Sequence, residues 1–327
     1  MKALLVAAAL ALGLPAPGLA RPAAPETVEV VASPITHFRL GSGQTRFGEL
    51  EFVGGLELRS PAREFGQLSA LRFLTPGEKF VGVADHGYWF FGSIARDDDG
   101  VPAGIENFRM QQMVDADGRP LTDKARMDAE GLDLRDGIAT VSFEREARVS
   151  EYRLGEDGFG PPLRDLDFVI PRHELRHNQG IETMLRTHDG ARVAVSERSI
   201  DGNGDIFAAI LDGPQKGVFK VRRSDGFDVT DGALLPDGDL VLLERRFSTA
   251  LGVAVRLRRI PAGAVARDAL ADGPVLMQAD LGYRIDNMEA IDVWTDKDGA
   301  TMISLVSDDN QSFLQRTLYL EFRLVEE

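Results

Sequence analysis

A two-strand phrase returns five times along the chain and limits the fold more than any other feature. Its C-terminal copy opens Asn287-Met288-Glu289-Ala290-Ile291 and closes, after a turn and an apolar run, at Ser307-Asp308-Asp309. Earlier copies open Gly180-Ile181-Glu182-Thr183-Met184 and close at Glu197-Arg198, or open Ala129-Glu130-Gly131-Leu132 and close at Glu144-Arg145. Looser copies run from Thr230-Asp231-Gly232-Ala233 to Glu244-Arg245 and from Leu68-Ser69-Ala70-Leu71 to Asp85-His86. Turn dipeptides such as Asp136-Gly137, Asp189-Gly190 and Asp237-Gly238 supply positive φ between strand-length apolar runs, so each copy is a hairpin. Positions 69, 130, 182, 231 and 289 are about 61, 52, 49 and 58 residues apart, and such a period in a strand-rich chain predicts propeller blades.

Equivalent positions of propeller blades converge on a central channel. Glu130, Glu182, Asp231 and Glu289 are therefore expected to form a carboxylate ring and to be its metal ligands. Crowded carboxylates do not all ionise cheaply; they need a cation, a basic partner or water. Taken singly, each is equally an exposed strand-end acid, and recurrence favours the ring. The strand-closing pairs Asp85-His86, Glu144-Arg145, Glu197-Arg198, Glu244-Arg245 and Asp308-Asp309 fall at the same end of the blades and are expected to flank it. Arg145, Arg198 and Arg245 offer planar forks for phosphate or carboxylate; the alternative is a set of inter-blade salt bridges. Asn178 and Asn287, ahead of two ring acids, complete the candidate set.

Taken in order, residues 1–20 have the layout of a signal peptide. Lys2 precedes an apolar run from Ala3 to Leu14, and Gly18-Leu19-Ala20 suits cleavage before Arg21. Export to the periplasm or the medium is expected, and no membrane span. Residues 21–34 read as a flexible lead and 35–327 as one propeller domain. The acid–apolar alternation from Gly48 to Leu58 reads as the outer strand of the last blade, closing the ring by pairing the two chain ends. Five blades are counted; residues 28–58 would add a sixth if they made a blade of their own. The aromatic strand Tyr88-Trp89-Phe90-Phe91 is expected between blades, and a short helix in the alanine-rich insertion from Pro261 to Ala271.

The chain has a net charge of −15, and −16 without Lys2, which argues against nucleic acid or an anionic membrane as partner and suits a bound cation. It has no cysteine, which excludes thiol catalysis, cysteine-ligated zinc and iron–sulfur clusters. No Gly-x-Ser-x-Gly elbow or phosphate-binding glycine loop is present. Asp201-Gly202-Asn203-Gly204-Asp205 has the start of a calcium loop but lacks its sixth-position glycine, and reads better as a hairpin turn. His173 and His177 have a helical zinc spacing, yet they follow Pro171 and read as a loop.

The ordered set Val53-Gly54-Gly55-Leu56-Glu57-Leu58, Phe65-Gly66-Gln67-Leu68-Ser69, Ala84-Asp85-His86-Gly87, Ala129-Glu130-Gly131-Leu132, Ser142-Phe143-Glu144-Arg145, Asn178-Gln179-Gly180-Ile181-Glu182, Leu235-Pro236-Asp237-Gly238 and Asn287-Met288-Glu289-Ala290-Ile291 resembles the phytase-like family, also described as the esterase-like activity of phytase domain. The resemblance runs from about residue 47 to 324 and implies an exported bacterial β-propeller with phosphoester or ester hydrolysis. Gln67 and Ser69 stand where other blades carry an acid, so the ring has a gap. Three functions stay open. One is a metal-dependent phosphate-ester hydrolase acting on a small anionic substrate. In it calcium is held by Glu130, Glu182 and Glu289, phosphate by Arg145, Arg198 and Arg245, and a carboxylate is general base. The others are a non-catalytic, calcium-stabilised binding module, and a lactone or carboxylic ester hydrolase.

Overall fold

The computed structural model of the chain describes residues 23–249 and 252–325. The expected signal peptide and its cleavage point lie outside the described residues. The recurring phrase becomes the two innermost strands of five antiparallel sheets. Blade 1 starts with Leu68–Phe73 and Lys79–Ala84, blade 2 with Ala129–Arg135 and Ile138–Phe143, and blade 3 with Ile181–Arg186 and Arg192–Ile200. Blade 4 starts with Asp228–Leu234 and Leu240–Ser248, and blade 5 with Asn287–Thr295 and Thr301–Asp308.

Blade 5 is completed by the N-terminal region. Leu50–Arg59 pairs with the C-terminal strand Thr317–Leu324 over its length, from Leu58 opposite Thr317 to Leu50 opposite Leu324. Val31–Ile35 then pairs with Leu50–Arg59. The ring is thus closed by the two ends of the chain, and residues 28–58 do not make a sixth blade. Within the stretch read as a flexible lead, Glu26–Thr27 pairs with the outer strand of blade 1.

Strand alternation sends successive side chains toward opposite neighbours, so every blade shares a core with the one on each side. Five buried clusters result, one per interface. In the aromatic strand, Trp89 and Phe91 face blade 2, where Trp89 stacks on Phe159 at 3.7 Å, while Phe90 faces blade 5. The insertion after Pro261 makes one 3-10 turn, Ala262–Ala264. It then adds Leu270–Ala271 in parallel to blade 3, tying blades 3 and 4 together. A short helix, Lys124–Met127, capped by Asp123, precedes blade 2. Among the described residues no helix is long and apolar enough to cross a membrane.

Asp201 folds as a turn. Its Oδ1 accepts from the backbone N–H of Asn203 at 2.8 Å and of Asp205 at 3.1 Å. Asp97, Asp115 and Asp296 make the same two-bond turn, so this acidic pattern is hairpin chemistry rather than a cation loop.

Candidate metal centre and cleft

Each innermost strand carries a β-bulge at its entrance. The extra residue is Ser69 in blade 1, Glu182 in blade 3, Thr230 in blade 4 and Glu289 in blade 5; in blade 2, Glu130 and Gly131 together oppose Ser142. A bulge breaks the alternation and re-aims a side chain, here toward the mouth of the channel. On each second strand, the residue after the pair that closes the bulge forms the next tier: Asp85, Glu144, Glu197, Arg245 and Asp308.

Blade 4 departs from the expected pattern by one residue. Its bulge is Thr230, so Asp231 falls outside the ring, and the residue after its closing pair is Arg245, so Glu244 does too. A one-residue slip in a strand moves a side chain to the other face. Glu244 is fully buried within the blade, where Arg256 and Arg258 each donate to it at 2.5 Å. Asp231 lies deeper along the axis. There Arg72 of blade 1 forms a two-bonded ion pair with it, both distances 2.9 Å. The same guanidinium donates to the carbonyls of Met184, Gly232 and Ile291, on blades 3, 4 and 5. Arg72 therefore spans the axis below the ring and gives the mouth a floor.

Above that floor, two groups of carboxylates have oxygens within 4.8 Å of one another: Asp128, Glu130 and Glu144, and Glu144, Glu182 and Glu197. Glu144 belongs to both. Two close backbone approaches make this crowding. A Cβ on Gly131 would lie 2.3 Å from the Glu182 carbonyl, so glycine lets the inner strands of blades 2 and 3 meet. A Cβ on Gly180 would lie 2.9 Å from Glu144 Cγ, and the Gly180 N–H donates to that carboxylate at 3.2 Å. Among the described residues no hydrogen bond or ion pair reaches the carboxylates of Glu130 or Glu182.

The electrostatics follow. Burial, then repulsion from neighbouring carboxylates, pushes Glu130 and Glu182 well above the usual range. Burial pushes Glu144 and Glu197 up to about 7 and Asp308 up to about 8. Asp128 and Glu289 are raised by burial too, although each has an arginine: Arg145 donates to Asp128 at 2.6 Å and Arg245 to Glu289 at 2.5 Å. Arg245 also stands 3.5 Å from Glu197. Asn287 donates to Glu289 at 2.8 Å.

The other candidates take supporting places. Asp85 accepts from Gln67 at 3.0 Å, and His86 lies against the Glu64 carbonyl and the Tyr88 ring. Asp309 accepts from the backbone of Gln67 and Gln311 and from the Thr317 hydroxyl, so it holds the loop rather than the ring. On the side of blades 3, 4 and 5 the mouth widens into a cleft of about 1190 Å³. Arg198, Arg245, Asn178, Asn287, Glu197 and Glu289 line it, together with Arg223 and Arg316, which sequence reasoning did not select. Arg198 and Arg223 both face Asp228, at 3.5 and 2.6 Å. Arg145 does not line the cleft. The mouth is thus two-sided, with unneutralised carboxylates over blades 2 and 3 and guanidiniums over blades 3 to 5.

These features define a five-bladed β-propeller with an acidic, arginine-rimmed mouth. The chain belongs to the phytase-like family, described as esterase-like activity of phytase, whose model matches residues 63–311. No curated protein matches the sequence. Among solved structures the chain is similar to the PQQ-bound form of aldose sugar dehydrogenase from Streptomyces coelicolor, at 14% identity, covering 86% of this chain and 100% of that one, with a TM-score of 0.48. It is also similar to glutaminyl cyclase from Myxococcus xanthus, at 12% identity, covering 92% and 100%, with a TM-score of 0.43.

Proposed function

We propose that the protein is a metal-dependent hydrolase of phosphate esters, working at the mouth of the propeller. One observation carries this reading: Glu130 and Glu182 are packed beside Glu144, and among the described residues no donor reaches their carboxylates. A group of carboxylates with raised proton affinity stays protonated or takes up a cation, and a cation is what lets all of them ionise together. The ligand atoms are all oxygen, without histidine or cysteine, which suits a hard divalent ion such as calcium. Asp128, Glu130, Glu144, Glu182 and Glu197 are the residues that would hold it. When bound, such an ion supplies charge neutralisation and Lewis-acid polarisation of a phosphoryl oxygen.

The protein's own groups supply the rest. Arg198, Arg223 and Arg245 have N–H groups beyond those spent on Asp228, Glu197 and Glu289, and these meet phosphate oxygens in the cleft. Arg145, held on Asp128, positions that carboxylate instead of binding substrate. In the reaction water's oxygen bonds to phosphorus, a carboxylate of the cup takes the proton, and the phosphorus–alkoxy bond breaks. The proton ends on the departing alcohol.

The test is phosphate release by the mature protein from phytate and simple phosphomonoesters, with calcium or with chelator. Release is expected only with calcium, and not from Glu182→Gln. Release indifferent to chelator, or turnover of lactones without phosphate release, would reject the proposal.

A further inference from the structure

Among the described residues, the four most exposed large apolar side chains are Phe313, Leu314, Phe247 and Leu281, at 96%, 76%, 72% and 60%. Phe247, Leu281 and the adjacent pair Phe313-Leu314 are far apart in sequence, yet they gather at two adjoining clefts. Phe247, Leu281 and Leu314 line the same cleft as Arg198, Arg245 and Glu289. Phe313 faces an adjoining cleft that shares Ser312, Gln315 and Arg316 with the first. Single exposed apolar residues need no explanation, whereas a contiguous group at a rim does.

The fold presents them deliberately. In blade 4 the second strand runs past Arg245 to Ser248 and stays paired, Phe247 opposite Val253 and Ser248 opposite Gly252. This hairpin lifts Phe247 above the mouth. Leu281 lies against Gly252 at its tip. Leu314 stands on the loop between the last two strands of the chain. Val253 and Ile285 continue the apolar wall below them. The cleft therefore has a charged floor and an apolar upper wall, and a substrate charged on all sides would leave that wall uncovered.

We propose that the substrate of this site is an amphiphilic phosphate ester, with its phosphate on Arg198 and Arg245 and its apolar arm against Phe247, Leu281 and Leu314; this rests on the phosphoester reading above. The occupant follows from the N–H groups that Arg198 and Arg245 keep beyond their ion pairs with Asp228, Glu197 and Glu289, and from the apolar side chains that line the same cleft. Each methylene buried along the wall tightens binding by about fourfold.

The experiment is calorimetric titration of the mature protein, with calcium present, by inorganic phosphate and by alkylphosphonates, non-hydrolysable stand-ins for the alkyl phosphates, from ethyl to octyl below their micelle concentrations. Kd is expected to fall with each methylene until the wall is covered. Phe247→Ser combined with Leu314→Ser should flatten that series and leave the affinity for inorganic phosphate unchanged; both sites are exposed, so a thermal melt verifies folding. Affinity independent of chain length overturns the amphiphile and leaves the phosphoester reading intact. Absence of binding by phosphate and by every alkylphosphonate overturns the reading on which it rests. Sedimentation showing a dimer that the double variant dissociates would also overturn it, because a second copy would then cover the wall.

Discussion

Ionising the cup in the absence of a cation destabilises the fold, and this can be measured as a slope of melting temperature against pH. Glu144 and Glu197 are pushed up to about 7 from 4.5, and Asp308 to about 8 from 3.8. A folded-state value above the unfolded one means that the native protein holds more protons between the two. Stability then falls as pH rises through that window, from about 4 to about 8. At about 1.4 kcal/mol per pH unit, each group alone would cost roughly 3 to 6 kcal/mol once ionised. They do not add, because they repel one another and titrate as a set. A total loss on the order of 5 kcal/mol, or about 10 °C in melting temperature, is expected between pH 5 and pH 9. The assay is circular dichroism melting in chelator across that range, repeated in excess calcium. Calcium should flatten the slope, and Glu144→Gln with Glu197→Gln should reduce it without calcium, leaving the share that Asp308 carries. A chelated wild type whose melting temperature is level or rises from pH 5 to pH 9 would refute the reasoning.

Replacing Arg72 by Met leaves Asp231 buried without its partner, which should cost about 3 to 5 kcal/mol in urea unfolding; a loss below about 1 kcal/mol would mean that the axial pair does not hold the blades together. Asp201→Asn should leave the calcium-dependent rise in melting temperature untouched, because Asp201 caps a turn; loss of the rise would move the cation site to that loop. Mass spectrometry of protein from its native host should find an N-terminus at or near Arg21, and a retained Met1 would reject export.

The fold was legible because a hairpin with an acid at its entrance is repeated often enough to be seen through its variation, and because the alternation from Gly48 to Leu58 identified the strand that closes the ring. The places of Glu130, Glu182 and Glu289 were legible for the same reason: the bulge recurs, and three of five copies keep a glutamate there; but Glu289, expected as a third metal ligand, is held by Arg245 and Asn287 and lies in neither group of close carboxylates. Blade 4 misled because matching acids to acids aligned Asp231 and Glu244 with the ring. The backbone register instead places Thr230 and Arg245 there, and a bulge leaves no mark in composition. Arg72 was missed although its signal was present, an arginine inside the otherwise apolar strand Leu68–Phe73. Arg223 and Arg316 lie outside the repeated phrase, on connections that only the folded chain brings to the cleft.

The central claim is that the carboxylates around Glu144 hold a hard cation, and calcium titration of the chelator-stripped mature protein by calorimetry tests it most directly. Saturable binding is expected, with protons released at pH 7 because the raised carboxylates must give them up. Glu144→Gln, which removes the residue shared by both groups, should weaken binding by about tenfold or more. No heat at millimolar calcium, or equal binding by Glu144→Gln, would contradict it.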